Sequence, residues 1–270
     1  MSEPGNDLDP KFRMPRSFGP APGPRNLPVH QRHRRYEKEI LSCTMSAKTD
    51  ADRLAKFLPD GLSLLGEARL EVCVMSFRKL GWLAGRGYDI LMVRIPVRWD
   101  GPQAGTGLFV PVVWENLADP IITGREELGW SKIFADISAS PATSVPWACK
   151  ASWDSHCFFE LEASGFTAVA DVPAAPAMVF RKYVPGTGTG KPDADYLTIT
   201  APDGPPTVLK SVENGQGCFA FHPASWQQMP TQYPIVSALS QLPLDDFSPV
   251  VRITSCGGGD GSGQCRLMLE

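Results

Sequence analysis

One lysine stands in a setting suited to chemistry. Lys132 lies in WSKIF, between Trp130, Ser131, Ile133 and Phe134, within a run from Asp119 to Ile137. That run concentrates Arg125, Glu126 and Glu127 between apolar residues. A lysine drawn into apolar surroundings loses hydration; burial disfavours the charged form and its pKa falls. The neutral amine can then attack a carbonyl and form a Schiff base. The competing reading is a surface lysine at the end of a short helix, its stem laid over Trp130 and its ammonium in water.

Other chemistries find less support. The histidines are His30, His33, His156 and His222. His30 and His33 share the basic stretch VHQRHRR without neighbouring carboxylates, so it reads as a solvated segment and no metal site is expected. No G-x-S-x-G elbow is present. Gly186, Gly188, Gly190 and Lys191 imitate a phosphate loop, but the spacing is wrong and Pro192 follows the lysine. The 7 cysteines are scattered, odd in number and without a C-x-x-C pair, so a reduced, cytoplasmic protein is expected. With 26 basic against 29 acidic residues and a net charge of −3, nothing favours a nucleic-acid partner. No apolar stretch approaches the ~20 residues of a membrane span, and the N-terminus carries no signal-peptide h-region.

The elements that must position the lysine read as mostly β. The 270 residues suit one domain or two, punctuated by 25 Gly and 26 Pro. Residues 1–34 form a Pro-rich arm, 35–255 a single domain and 256–270 a Gly-rich tail. Strands are predicted over 68–80, 89–98, 107–114, 156–162, 177–184, 195–199, 207–213, 217–222 and 248–254. Both faces of 68–80 are largely apolar, as in a strand covered on both sides. Pro96 argues for an edge or bulge. Thr49 is placed as the N-cap of a helix over 50–58, stopped by Pro59. A turn or short helix over 120–129 closes at Gly129, and another helix occupies 233–241. Many short strands with three short helices indicate a mainly β, β-rich α+β chain.

The stretch around Lys132 resembles the acetoacetate decarboxylase family. The resemblance rests on Asp119-Pro120, then Ile121, Ile122 and Thr123, then Gly124-Arg125-Glu126, and, after Glu127-Leu128-Gly129, Trp130-Ser131-Lys132. Lys132 falls on the family's Schiff-base lysine without a gap. Ala68-Arg69-Leu70-Glu71-Val72 resembles the strand carrying an active-site glutamate, which assigns that role to Glu71. Residues 18–25 (FGPAPGPR) are similar to arms in the wider superfamily. Three positions depart from the pattern. The family's second lysine is Ile133, a second glutamate falls near Gly85, and an arginine falls near Ile40 with Arg35 the nearest candidate. In acetoacetate decarboxylase a neighbouring cation activates the lysine; here burial, able to move a pKa by roughly 3–5 units, would have to replace it.

The resemblance implies an acetoacetate decarboxylase-like antiparallel β-barrel, closed or nearly so, with a few short helices, assembled as a homo-oligomer. It implies a small-molecule keto acid substrate and no cofactor, with Lys132 and Glu71 catalytic. Arg125, Glu126, Trp130 and Arg35 would bind substrate or support the lysine; Arg125 and Glu126 read as a local support pair. The expected activity is a Schiff-base lyase decarboxylating a β-keto acid. The alternatives are an aldolase-dehydratase using a pyruvate-type enamine and a non-catalytic small-ligand barrel.

Overall fold

The computed structural model describes residues 13–18, 27, 29–31, 37–170, 176–188, 190–201, 207–258 and 263–269. In chain order the elements are β1 (Glu39–Lys48), α1 (Ala51–Ala55), β2 (Ser63–Leu64), β3 (Arg69–Arg78), β4 (Tyr88–Trp99), β5 (Gly105–Glu115) and α2 (Ala118–Thr123). Then follow β6 (Lys132–Phe134), β7 (Asp136–Ala139), β8 (Trp147–Trp153), β9 (His156–Ala168), β10 (Met178–Val184), β11 (Ala194–Ala201), β12 (Thr207–Phe221), α3 (Tyr233–Ser240), β13 (Val250–Gly257) and β14 (Gly263–Arg266).

Among the described residues 14 strands join one sheet, in the order β14-β11-β10-β5-β4-β3-β1-β13-β12-β9-β8-β7, with β2 added to β4 and β6 to β5. The mainly β, largely antiparallel expectation holds; closure of the sheet into a barrel does not. The sheet is open, because β14 and β7 end it rather than pair with each other. Two pairings, β5 with β10 and β5 with β6, are parallel. The physical reason lies at β5, which gives its early residues to β10 and its last to β6. Chain continuity through Ala135, whose N–H donates to the Glu115 carbonyl at 3.1 Å, carries β6 into β7 without a continuous ladder.

Strand alternation sorts side chains onto two faces. Leu70, Val72 and Val74 of β3, Leu91 and Val93 of β4, and Val112 and Trp114 of β5 enter the main core with Trp147, Phe158 and Phe221. α3 contributes Val236 and Leu239. The opposite face buries Cys73, Ile90, Met92, Val110, Val113 and Phe180, with Met75, Phe77, Tyr88, Trp130 and Met178 packed around them. The strand read as apolar on both sides is therefore covered on both sides.

Local differences have local causes. Thr49 N–H donates to Ala68 O at 2.9 Å, extending the strand ladder, so the cap passes to Asp50, whose carboxylate accepts from Arg53 N–H at 2.8 Å. The β4–β5 register slips between Val93 and Ile95, just before Pro96. Residues 207–213 and 217–222 are parts of one strand, β12, and β14 lies within the segment read as a Gly-rich tail.

Candidate active site

The segment from α2 to β6 is built to bring Lys132 back against β5. α2 runs into a π-helical turn, Gly124–Leu128, which ends where Gly129 adopts φ 79°. The Trp130 N–H closes the turn on Gly124 O at 3.0 Å. A left-handed residue suits glycine, which has no Cβ to clash. Side chains pin the loop: Arg125 Nη1 donates to Lys132 O at 2.9 Å, Lys182 Nζ to Glu126 O at 2.7 Å, and Thr198 Oγ1 to Leu128 O at 3.3 Å. Arg13 reaches the Thr123 hydroxyl and lies 3.6 Å from Glu127. Lys132 then pairs with Val113 in the parallel ladder, so it shares a sheet face with Val113 and Glu115.

Lys132 is 4% exposed and Glu115 0%. Lys132 Nζ stands 2.7 Å from Glu115 Oε1, donates to Pro120 O at 3.2 Å, and lies 4.8 Å from the centroid of the Trp130 ring. Trp130 is itself stacked on Phe180, centroids 4.6 Å apart. Its outer side borders a cleft of about 380 Å³ that also touches Arg125, Ser131 and Lys182. Burial pushes the Lys132 amine below the ordinary lysine range, and the Glu115 carboxylate only partly opposes this. Burial likewise pushes the Glu115 carboxyl up, with Lys132 partly opposing. Both shifts run toward the uncharged forms. The surface-lysine reading of Lys132 is excluded.

Glu71 lies on the same sheet face but does not touch Lys132. It pairs with Arg94 at 2.7 Å, and Arg94 also donates to Thr44 Oγ1 at 3.2 Å. β3 and β6 are three strands apart, about 14 Å between backbones. The Arg125 side chain holds the loop, whereas Glu126 contributes only its backbone carbonyl and its side chain is exposed. Trp130 covers the amine, whereas Phe134 is 43% exposed. Arg35 lies outside the described residues. The Ile133 departure has a structural explanation: the residue after Lys132 points to the opposite face, and Ile133 packs against the main core. A lysine there would bury its charge in hydrocarbon rather than meet the Lys132 amine.

Sequence reasoning missed two residues. Glu115 was passed over because the predicted strand ended at Trp114; a lone acid closing the apolar run GLFVPVVW was the available signal. The register of Arg94 opposite Glu71 emerges only from the β3–β4 pairing. Among the described residues no cluster of three or more His, Cys, Asp or Glu is placed to hold a metal ion. No helix among them is long and apolar enough to cross a membrane.

A mainly β sheet with an amine buried beside an acid defines the class, and the family follows. The acetoacetate decarboxylase (ADC) family model matches residues 13–246, and the chain belongs to that family. No curated protein matches it. Solved structures share the fold at low identity. An acetoacetate decarboxylase-like enzyme from Sphingomonas wittichii RW1 is 17% identical, with a TM-score of 0.66 over 86% of this chain and 93% of that one. Acetoacetate decarboxylase from Legionella pneumophila subsp. pneumophila str. Philadelphia 1 is 18% identical, with a TM-score of 0.63 over 95% and 97%. The enduracididine biosynthesis enzyme MppR, complexed with pyruvate, is 13% identical, with a TM-score of 0.65 over 85% and 89%.

Proposed function

We propose that the chain is a Schiff-base lyase acting on a keto acid, with Lys132 as nucleophile and decarboxylation of a β-keto acid as its reaction. The observation that carries this reading is the Lys132 amine, 4% exposed and held beside a buried acid at the position of the family's lysine. The amine attacks the ketone, and loss of water leaves an iminium. The electrons of the breaking C–C bond enter that iminium, carbon dioxide departs and an enamine remains. The iminium is the electron sink, so the reading calls for no further cofactor. Glu71 and Arg94, on the same face, are suited to orienting the substrate beyond the reacting carbon.

A second reading is aldolase-dehydratase chemistry, in which a pyruvate-derived enamine attacks an aldehyde. It is favoured by the presence of MppR among the similar folds, solved with pyruvate and with the condensation product of pyruvate and imidazole 4-carboxaldehyde. Borohydride trapping with acetoacetate and with pyruvate, followed by peptide mapping, tests both. The expected result is a reduced adduct on Lys132, with carbon dioxide release from acetoacetate under turnover. An adduct from pyruvate without decarboxylation of acetoacetate selects the second reading. No adduct on Lys132 with either acid defeats the first and the second together.

A further inference from the structure

We propose that Glu115 is the acid–base partner of Lys132, carrying the protons of Schiff-base formation and remaining as the carboxylate counter-ion of the iminium. The inference rests on Lys132 being the nucleophile and adds the residue that moves its protons. Glu115 closes β5, its own carbonyl held by Ala135 N–H, and its side chain is fully buried. Oε1 lies 2.7 Å from the reacting nitrogen. Oε2 is buried with no hydrogen-bond partner among the described residues, leaving one carboxyl oxygen uncommitted.

The environment leaves few routes for a proton. The other hydrogen-bond acceptor at Nζ is the Pro120 carbonyl, which does not take up a proton at neutral pH. Several charged side chains on the elements packed around the pair are engaged elsewhere, and Asp119 and Glu126 are exposed. Arg125 holds Lys132 O, Arg13 is with Thr123 and Glu127, and Lys182 holds Glu126 O. Asp89 is with Arg78, and Arg94 with Glu71.

The step balances as follows. The neutral amine attacks the ketone carbon, a C–N bond forms, and the carbonyl π electrons move onto oxygen. The Glu115 acid protonates that oxygen, and the resulting carboxylate removes one proton from the nitrogen, giving a neutral carbinolamine. Glu115 then protonates the hydroxyl. The C–O bond breaks, water leaves, and the nitrogen lone pair forms the iminium. Ketone, amine and carboxylic acid become iminium, water and carboxylate, with hydrogen count and charge conserved. A neutral pair before the step becomes an ion pair after it.

Two measurements on the full chain test this. Glu115→Gln keeps the size of the side chain and removes the transferable proton, so trapping on Lys132 is expected to slow by ~10²-fold or more at pH 7, and the acid-dependent limb of its pH–rate profile to disappear. Difference infrared spectroscopy on the unmutated protein needs no folded variant. A buried carboxylic-acid carbonyl band should be present before keto acid is added and be lost as the iminium forms. Trapping of the unmutated protein on Lys132 without loss of such a band overturns the role of Glu115 and leaves the Schiff-base reading standing. So does trapping of Glu115→Gln at the unmutated rate and pH profile. Absence of trapping on Lys132 in the unmutated protein overturns both.

Discussion

Gly124→Ala should disarm Lys132 while leaving the fold largely intact. A Cβ at position 124 would stand 2.5 Å from Lys132 Cε and 2.9 Å from Nζ, and closer still to Cδ, where ordinary contact is 3.4–4 Å. The lysine side chain must therefore retreat by about 1 Å. Its escape is limited by Trp130, which lies over the amine. A retreat of about 1 Å lengthens the 2.7 Å contact with Glu115 beyond hydrogen-bond range. Misplacement on that scale costs a catalysed step about 10²-fold. Overpacking itself costs roughly 1–3 kcal/mol, a fall in Tm of about 2–4 °C per kcal/mol for a domain of this size. The assay is the rate of borohydride-trapped adduct formation on Lys132, with the thermal midpoint measured on the same sample. A variant trapped at the unmutated rate with an unchanged midpoint would show that the lysine does not lie over Gly124, and the geometry of the amine–acid pair would fall with it.

Three further outcomes are expected. Lys132→Met should abolish trapping and strand Glu115 in the core without the cation that partly offsets its raised pKa. A carboxyl with a raised folded-state pKa stabilises fully below its unfolded value and loses that contribution as pH rises through the folded one. The variant should therefore be more resistant to denaturant at pH 4.5 than at pH 7.5, by more than the unmutated protein, with pH set at about these values to bracket the ordinary Glu range; equal pH profiles would count against burial of Glu115. Trp130→Ala should admit water to the amine, raise its pKa by relieving the burial that depresses it, and shift the pH dependence of trapping upward; an unmoved profile would mean that Trp130 does not shield the amine. Arg252, buried and bonded to both oxygens of Glu213 at 2.9 Å, also donates to Ala142 O and lies 3.7 Å from the Phe166 ring. Arg252→Ala should cost about 3 kcal/mol in chemical denaturation, and Arg252→Lys, which cannot reproduce the fork, should recover little.

The parts legible in the sequence were those whose signals are local. The two-faced strand at 68–80, the helix ended near Gly129 and the Pro-led helix at 233–241 follow from alternation and capping residues a few positions apart. Lys132 was legible for the same reason, since its apolar neighbours adjoin it in the chain. What was not legible depends on pairing between distant segments. β1 is an exception: apolar Leu41, Cys43, Met45 and Ala47 alternate with polar Ser42, Thr44, Ser46 and Lys48, a local strand signal present in the sequence. The partners of the two key side chains are matters of register. Arg94 meets Glu71 across a hairpin, and Glu115 reaches Lys132 only after α2 and the π-helical turn have reversed the chain. The open sheet was equally out of reach, because it depends on how β5 divides its length between β10 and β6.

The position of β13 has a consequence for the order of assembly. It lies between β1 and β12, with Glu39 opposite Cys256, so the middle of the ladder is joined only by strands from opposite ends of the chain. Pairings of such long sequence separation form slowly. The segment from β3 to β6 is instead contiguous, linked by the β3–β4 and β4–β5 hairpins and the short return into β6. During synthesis this segment leaves the ribosome more than a hundred residues ahead of β13. The lysine and its acid thus belong to the part of the chain made first, and the strand that locks the middle of the sheet arrives late. A truncation that removes β13 and β14 should leave a partly formed sheet with its β1 edge exposed, which makes β13 a determinant of solubility as well as of shape.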